Sequence, residues 1–363
     1  MKTLLSNPGS PTPATSGADA RNFQRPNTLA EPSCRPPFRE SGFSLIEIMV
    51  AVALMTVIVL GLLSVFNTTQ KAFRVSMAQV DYLAAGRAGV DILRRDLMEI
   101  TPSQIAEYHN GSMTNCLNFY AELAPSFSNP LLQGLPGTVS PTDPNAQDVR
   151  VNIVENFFFL SKANLTWTGT GYAVLPTAGF SGSGVGTLYR FSTNTTKSGV
   201  LSLSGLFYNA VQIEVQNALQ NKPITNLNGF EVDRIAEGVV HLQVHPFATN
   251  GFPVVANPYN RTFLNGYFRY THMTNDYHQI RNVNAVNPSG IAGQVNCYFY
   301  SNAVPAFVEL ELGMVEQPVL DRVKGMSSVS PLAQRQYLSN HVAQVHVFRQ
   351  RIPIRNVDFS AYQ

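Results

Sequence analysis

The sequence GFSLIEIMVAVALMTVIVLGLLSVF, residues 42–66, decides the fold, because it contains an apolar run from Phe43 to Phe66. This run is 24 residues long, and a helix of ~20 apolar residues is enough to span a bilayer. It carries a single charge, that of Glu47. A carboxylate inside a membrane segment is costly and by default marks a function. The sequence therefore predicts a membrane-spanning helix with one functional carboxylate near its start.

The charges around this run predict its orientation. The chain has 25 basic and 23 acidic residues, and residues 1–42 hold five of the basic and three of the acidic ones, so the rest is neutral. The positive-inside rule therefore predicts that residues 1–42 face the cytoplasm and that the chain beyond Phe66 lies across the membrane. Lys71 and Arg74 follow closely on that side, so the difference in positive charge between the two sides of the run is small. A neutral body gives no electrostatic basis for nucleic-acid binding.

The residues before the run have the composition of a disordered segment. Residues 1–42 are rich in Pro, Ser, Thr and Asn and show no apolar periodicity. Such a segment cannot bury enough surface to offset the entropy of ordering, so we predict that it is disordered and lies outside the fold. An over-called start codon is an alternative origin for part of it.

The helical pattern continues past the membrane segment, through residues 67–101. The apolar stripe comprises Phe66, Phe73, Met77, Val80, Ala84, Val90, Leu93, Leu97 and Ile100. These positions recur at spacings that keep them on one helical face, with Arg94, Arg95, Asp96 and Glu99 mostly on the other side. Thr101-Pro102 ends the pattern, because the residue before a proline avoids the α conformation. The outer half of this helix suits packing onto a sheet as well as it suits a coiled coil.

Beyond Pro102, short alternating runs separated by turn residues predict antiparallel strands. The predicted strands are Val151–Leu160, Thr187–Phe191, Val211–Val215, Gly238–Pro246, Ala306–Leu312 and Val342–Phe348, and Val240, Leu242 and Val244 are expected to share one face. The predicted loops are Pro125–Asn145, Gly179–Gly186 and Asn250–Asn296. The predicted fold class is α+β, with a long N-terminal helix packed on an antiparallel β-sheet head of residues 102–363.

Motifs of the common enzyme classes are absent from the sequence. It contains no Gly-x-Ser-x-Gly elbow, no phosphate-binding loop with Lys-Ser/Thr, no Cys-x-x-Cys and no His-Glu-x-x-His. His241 and His245 share a face of a predicted strand, where side chains four residues apart are ~13 Å apart and cannot chelate one ion. We therefore predict no catalytic activity, no catalytic residues and no metal site built on histidine.

Two loops and two cysteines leave alternatives open. Asp143, Asn145 and Asp148 offer oxygen ligands for calcium but lack the later acidic partner of an EF-hand, so no cofactor is expected apart from this possible calcium. The aromatic loop Tyr259–Tyr277 suits either a ligand-binding surface or a small satellite core. Cys116 and Cys297 are the two cysteines beyond the membrane segment. In an oxidising compartment they either form a disulfide or remain two buried thiols.

Glu47 has two interpretations from its position. Its carboxylate can extend to the membrane interface, since it lies only five residues into the run. Alternatively, cleavage after Gly42 gives Phe43 a free ammonium group, and both charges then need a partner at the lipid edge. A pair between the ammonium of one copy and Glu47 of its neighbour would set the register of helices packed in a filament.

The segment Gly42-Phe43-Ser44-Leu45-Ile46-Glu47 resembles the class III signal of type IV prepilin-like proteins. In that signal a glycine precedes a hydrophobic N-methylated residue, and a glutamate occupies the fifth mature position. The resemblance implies that prepilin peptidase cleaves after Gly42 and methylates Phe43. It also implies assembly into a pilus or pseudopilus through the N-terminal helix, with Glu47 as an assembly residue.

Later segments resemble one branch of these proteins, the J-type minor pseudopilins of type II secretion and the W-type minor pilins. They are Arg87 with Leu93–Leu97, Ile235–Val244 and Pro305–Leu312. Two features depart from this branch, since the leader is far longer and the head is larger. A head of this size would crowd a regular filament, which favours a low-copy tip or initiating subunit.

The resemblance implies a structural function without catalysis. The expected partners are prepilin peptidase, other pilins or pseudopilins, the inner-membrane assembly platform and membrane lipid. The expected location is the inner membrane in a single pass, with the leader in the cytoplasm and the head in the periplasm, followed by a pilus or pseudopilus. The alternative is a membrane-anchored periplasmic or surface binding protein, similar to an adhesin, that does not polymerise.

Overall fold

The computed structural model describes residues 42–109, 112–135, 137–138, 148–177, 182–224, 229–254, 283–286, 296–326 and 330–358. The contacts within the chain divide it between Phe66 and Asn67 into two compact units. The predicted aromatic loop at 259–277 and the leader at 1–41 lie outside the described residues.

Helix α1, Leu45–Leu97, runs from the first unit into the second. It contains no proline, and its first half consists mainly of Leu, Ile, Val, Met and Ala. It ends three residues before the predicted Ile100, which instead forms an isolated antiparallel bridge with Ser161. The backbone N–H of Thr101 then donates to the Leu160 carbonyl at 2.9 Å. The helix therefore ends where the chain begins to bond to the sheet.

The second unit contains thirteen strands and three further helices among the described residues. The strands are β1 Ala106–His109, β2 Ser112–Asn115, β3 Leu117–Leu123, β4 Leu131–Gly134, β5 Val149–Asn152, β6 Glu155–Ala163, β7 Thr166–Pro176, β8 Gly186–Thr195, β9 Glu231–Phe247, β10 Val283–Val286, β11 Asn296–Tyr300, β12 Phe307–Val315 and β13 Val345–Pro353. The helices are α2 Val200–Leu219, α3 Gln317–Gly325 and α4 Pro331–Ser339.

Nine of these strands form one antiparallel sheet, in the order β10-β11-β3-β6-β7-β8-β9-β12-β13. One face packs against the second half of α1 through a core that includes Leu93, Leu97 and Phe157. The opposite face carries α2 over a second core, which includes Phe158 and Phe207. A third core lies between α3, α4 and strands β9, β12 and β13. The predicted α+β fold, a long helix followed by an antiparallel sheet, is confirmed.

The sheet curls so far that the start of β6 reaches β9, although β7 and β8 lie between them in strand order. The Leu242 N–H donates to the Ile153 carbonyl at 2.9 Å, and the Ile153 N–H donates to His241 Nδ1 at 3.0 Å. The Val244 N–H donates to Glu155 Oε2 at 2.9 Å. We call this contact the seam. Two side chains at the seam satisfy backbone N–H groups that have no strand partner there.

Helix α2 corrects a prediction, because Val211–Val215 is helical and not a strand. The alternation Val-Gln-Ile-Glu-Val has period two over five residues, which is too short to exclude a helix. Over the whole segment the buried positions recur every three or four residues. They are Val200, Leu203, Phe207, Ala210, Val211, Glu214, Val215 and Ala218.

The remaining strand predictions are correct in place but differ in detail. Val151–Leu160 is interrupted at residues 153–154, where the chain forms the seam, and Val342–Phe348 begins with a 3-10 turn at Val342–Gln344. Val240 does not share a face with Leu242, because the pairing of β9 with β12 shifts by one residue there. Val240 consequently packs in the third core, whereas Leu242 packs in the first.

The packing of α2 on the sheet gives a testable prediction at Gly171. A β-carbon at this position would overlap the ring of Phe207 on α2, and the site is closely packed. We expect Gly171→Val to lower the free energy of unfolding by about 2–3 kcal/mol, the usual range for overpacking a core. Urea denaturation followed by the fluorescence of Trp167, the single tryptophan, measures the change.

Gly205 provides the matched control for this substitution. It lies on α2 with no atom within 4 Å of an added β-carbon, so Gly205→Ala should raise the free energy of unfolding by about 0.5–1 kcal/mol. An unchanged stability for Gly171→Val would show that α2 is not held against β7 as described.

Candidate processing and helix-anchoring site

The predicted cleavage junction lies at the exposed start of α1. Gly42 has no atom within 4 Å of a would-be β-carbon, and Phe43 is 83% exposed. The backbone at Gly42 is not in the left-handed conformation that favours glycine. Neither packing nor backbone geometry within the described chain therefore requires glycine at this position. No described residue packs against Gly42, and Phe43 is exposed, so the described part of the chain leaves the bond between them accessible.

Glu47 takes part in a capping box at the first turn of α1. The Ser44 N–H donates to Glu47 Oε2 at 2.9 Å, and the Glu47 N–H donates to Ser44 Oγ at 3.3 Å. These reciprocal bonds satisfy two of the N–H groups that a helix start leaves without partners. Sequence reasoning missed this role, although Ser-x-x-Glu before an apolar run is the known signature of the motif. In the single chain the carboxylate is therefore bound to its own helix.

The first half of α1 is apolar and exposed on all sides. Within the described residues, α1 is the one helix long and apolar enough to cross a membrane, and none of its most apolar 18-residue window is buried. Thr56, the polar residue in its middle, donates its hydroxyl to the Val52 carbonyl at 2.6 Å. A helix satisfies all its backbone groups internally, which a bilayer requires. This half therefore suits a membrane.

The apolar stripe of the second half divides into two parts. Phe73, Met77 and Val80 are more than half exposed, so this part of the predicted stripe does not pack within the chain. Ala84 of the stripe is exposed too, but Val90, Leu93 and Leu97 are buried against the sheet, and Leu93 and Leu97 are completely inaccessible. Spacing alone predicted one continuous face, but the sheet covers only its second part.

Asp96 anchors the end of α1 to the sheet and does not point into solvent, contrary to its predicted placement on the polar side. Its Oδ2 accepts a hydrogen bond from Arg190 Nε at 2.6 Å and from the Tyr172 hydroxyl at 2.8 Å. The side chain of Asp96 is 12% exposed and Tyr172 is fully buried. The Asp96 contacts also raise the pKa of the Arg190 guanidinium against the lowering effect of its burial. We call these three residues the anchor triad.

The possible disulfide between Cys116 and Cys297 is not formed in the structure. Cys297 pairs with Ala121 in the sheet and belongs to the core under α1. Cys116 belongs to the core under α2, on the opposite face. The sheet separates the two sulfur atoms, and burial raises the pKa of the Cys297 thiol. Of the two alternatives from the sequence, the structure has two buried thiols.

The described residues contain no cluster of three His, Cys, Asp or Glu side chains that could hold a metal ion. His241 Nδ1 accepts a hydrogen bond from the Ile153 N–H, and His241 Nε2 lies 3.5 Å from Glu311 Oε2. The side chain of His241 is therefore part of the seam. Burial lowers the pKa of His245 to about 4. Asp143 and Asn145 of the possible calcium loop lie outside the described residues, so that hypothesis stays a prediction.

Comparison with known proteins supports the N-terminal signal. A family model described as the prokaryotic N-terminal methylation motif matches residues 37–63. No curated protein and no solved structure matches the chain. The matched segment covers the Gly42–Phe43 junction and most of the apolar half of α1, and it supports a type IV prepilin-like signal. The motif is that of structural proteins processed by a peptidase and assembled with other pilins.

Proposed function

We propose that this chain is a minor pilin or pseudopilin, cleaved after Gly42 by prepilin peptidase, methylated on Phe43 and assembled through α1. The subunit enters the inner membrane with its leader in the cytoplasm and its head in the periplasm. It then joins other pilins through the inner-membrane assembly platform into a type II secretion pseudopilus or a type IV pilus. The large head, with helices on both faces of its sheet, favours a low-copy position at the tip.

The observation that carries this proposal is the state of the Gly42–Phe43 junction. Nothing in the described chain requires a glycine there, which is consistent with a glycine that a peptidase recognises. The exposed Phe43 and the family match at 37–63 support the same conclusion. The similarity of Arg87 and Leu93–Leu97 to J-type and W-type proteins supports the minor-subunit assignment.

Mass spectrometry of the N-terminus tests the processing step. The purified protein should begin at Phe43 and carry one methyl group on its amine. Gly42→Val should leave the leader attached. An intact Gly42–Phe43 bond in the wild-type protein would instead favour the alternative, a membrane-anchored binding protein that does not polymerise.

Three substitutions test the assembly role of Glu47 separately from its capping role. Glu47→Gln removes the charge but keeps a capping-box residue, whereas Ser44→Ala removes the cap and keeps the charge. We expect Glu47→Gln and Glu47→Ala to insert and be cleaved but to lose most incorporation into filaments, because the Phe43 ammonium of the neighbour has no anion. Quantitative immunoblotting of sheared filaments measures incorporation.

The Ser44→Ala variant is the control for this comparison. It should keep wild-type incorporation, since loss of one exposed cap costs only about 1 kcal/mol of helix stability. Normal incorporation of Glu47→Gln into filaments would rule out the ion pair between subunits. If Ser44→Ala alone lost incorporation, the helix cap and not the charge would be needed for assembly.

A further inference from the structure

Glu122 on β3 carries a half-buried carboxylate with no cation beside it. Its side chain lies on the face of the sheet that α2 covers, two residues from Tyr120. In the described part of the chain no Lys, Arg or His nitrogen lies within 4 Å of it. Burial raises the pKa of this carboxyl to about 7. An unpaired carboxylate in such a place is costly to folding and is a candidate for function.

Two tyrosine rings lie next to this carboxylate, one on its own strand and one on the neighbouring strand. Tyr120 precedes it on the same face of β3, and Tyr298 on β11 lies directly opposite Tyr120 in the strand register. Their ring centroids are 6.2 Å apart, with an angle of 29° between the planes. Tyr208 on α2 is 45% exposed, and its electrostatic effect on Tyr120 places it near that ring. Glu122 lies diagonally across from Tyr298, within reach of its ring.

The electrostatics confirm that these groups are close together. Burial raises the pKa of Tyr120, and the Glu122 carboxylate, Tyr298 and Tyr208 raise it further. Burial and then Glu122 likewise raise the pKa of Tyr298. The titratable groups that the described elements direct at Glu122 are thus tyrosines, which stay neutral when it ionises.

A second observation points to a ligand at the same place. The hydroxyl of Tyr120 has no hydrogen-bond partner in the described structure, although only 3% of this residue is exposed. Buried hydroxyls are nearly always paired, so an unpaired one on the same strand face as an unpaired carboxylate, two residues away, indicates a missing partner. Both groups can accept hydrogen bonds, and a single donor cation can therefore satisfy both.

The chemistry of the site selects the class of ligand. A small divalent cation needs several oxygen ligands, and the described residues contain no acidic cluster of that size. Aromatic faces together with a carboxylate are the arrangement that recognises alkylammonium groups. We propose that Glu122, Tyr120, Tyr208 and Tyr298 bind an alkylammonium group, with Glu122 as its counter-ion and the tyrosine rings around its alkyl carbons. The natural source is either a lysine side chain of a partner protein or a free amine.

Isothermal titration calorimetry on the full chain in neutral detergent tests this site. The probes are Nα-acetyl-lysine amide, which stands for a lysine side chain, and methylammonium chloride, which stands for a free primary amine. Nα,Nε-diacetyl-lysine amide is the neutral control. We expect at least one cationic probe to bind at pH 8 at least about tenfold more tightly than the neutral control.

Two variants and one control make the test specific. Glu122→Gln should weaken binding of the cationic probe about tenfold or more, because it removes the charge with almost no change in shape. Tyr208→Leu, at an exposed position, should weaken it at least about threefold through loss of the aromatic face. Glu231→Gln, an exposed carboxylate elsewhere on the sheet, should bind as the wild type does.

The pH dependence supplies an independent readout. Binding should be about tenfold weaker at pH 6 than at pH 8, since protonation of Glu122 near pH 7 removes the counter-ion. Tighter binding of the lysine probe identifies a protein partner, and tighter binding of methylammonium identifies a free amine. Absence of binding by both probes, or equal binding by Glu122→Gln and wild type, overturns the proposal. None of these outcomes depends on cleavage or polymerisation, so the proposed function is tested separately.

Discussion

Replacing Asp96 with alanine is expected to lower the free energy of unfolding of the head by about 3–5 kcal/mol. This is the usual cost of removing one partner from a buried ion pair. The substitution leaves the Arg190 guanidinium beside the Tyr172 hydroxyl without their shared anion. Among the described residues, the remaining carboxylate near Arg190 is that of Asp233, at 3.8 Å. Urea denaturation followed by Trp167 fluorescence measures the loss, because this residue is buried in the sheet.

Two other substitutions control for charge and for shape. Asp91→Ala removes an exposed carboxylate from the same helix and should change the stability by no more than about 0.5 kcal/mol. Asp96→Asn keeps an oxygen that accepts one hydrogen bond and should lose less than Asp96→Ala. A loss below about 1 kcal/mol for Asp96→Ala would show that apolar packing alone holds the end of α1.

Raising the pH from 5 to 8 is expected to destabilise the head through Glu155 at the seam. Burial raises the pKa of this carboxyl to about 8, against the opposing effect of the Val244 N–H and with a further increase from Glu311. The folded state therefore keeps a proton that the unfolded state releases above its ordinary pKa of 4.5. The stability is fully present below pH 4.5 and is lost as the pH rises through 8.

Comparison with Glu155→Gln isolates this effect from other titrations. Glutamine keeps an acceptor for the Val244 N–H and cannot ionise, so it imitates the protonated carboxyl. The variant should match wild type within about 1 kcal/mol at pH 5 and exceed it by about 3 kcal/mol at pH 8, from ~1.4 kcal/mol per pH unit. Urea midpoints at both pH values measure the difference, and Glu231→Gln should follow the wild type.

Two other groups affect the absolute pH profile but cancel in this comparison. The pKa of Glu122 is raised to about 7, so its contribution to the stability of the head is also lost as the pH rises. His245 acts in the opposite direction, because its pKa is lowered to about 4 and its contribution is lost as the pH falls from 6.5 to 4. Equal pH profiles for wild type and Glu155→Gln would mean that water reaches this carboxyl.

The sequence predicted α1 and several strands correctly because their patterns are local. The apolar run of 24 residues and the 3, 4, 3 spacing up to Ile100 each extend over several turns. Thr187–Phe191 and Gly238–Pro246 alternate clearly and lie within β8 and β9, and the alternating Ala306–Leu312 lies within β12 except for Ala306, one residue before it. The prediction of a strand at Val211–Val215 was wrong. Five alternating residues are weaker evidence than the three-to-four-residue spacing of buried positions over the 20 residues of α2.

The capping role of Glu47 could have been predicted, whereas the anchor triad could not. Ser44 and Glu47 are three residues apart, and their spacing is the motif. Asp96 and Arg190 are separated by 94 residues, and nothing in either local sequence distinguishes this pair from the other charges around it. The same holds for the seam, where 89 residues separate Val244 from Glu155.

By itself the sequence determined the N-terminal signal, the membrane-length helix and the α+β class, because each depends on residues that are close together along the chain. Tertiary structure alone decided which part of the helical stripe is buried and that Cys116 and Cys297 lie on opposite faces. It also decided that, within the part of the chain that the structure describes, the Tyr120 hydroxyl has no hydrogen-bond partner and Glu122 has no ion-pair partner. These properties depend on the curl and register of a nine-stranded sheet. A shift of one residue in such a sheet moves a side chain to the opposite face, as Val240 shows.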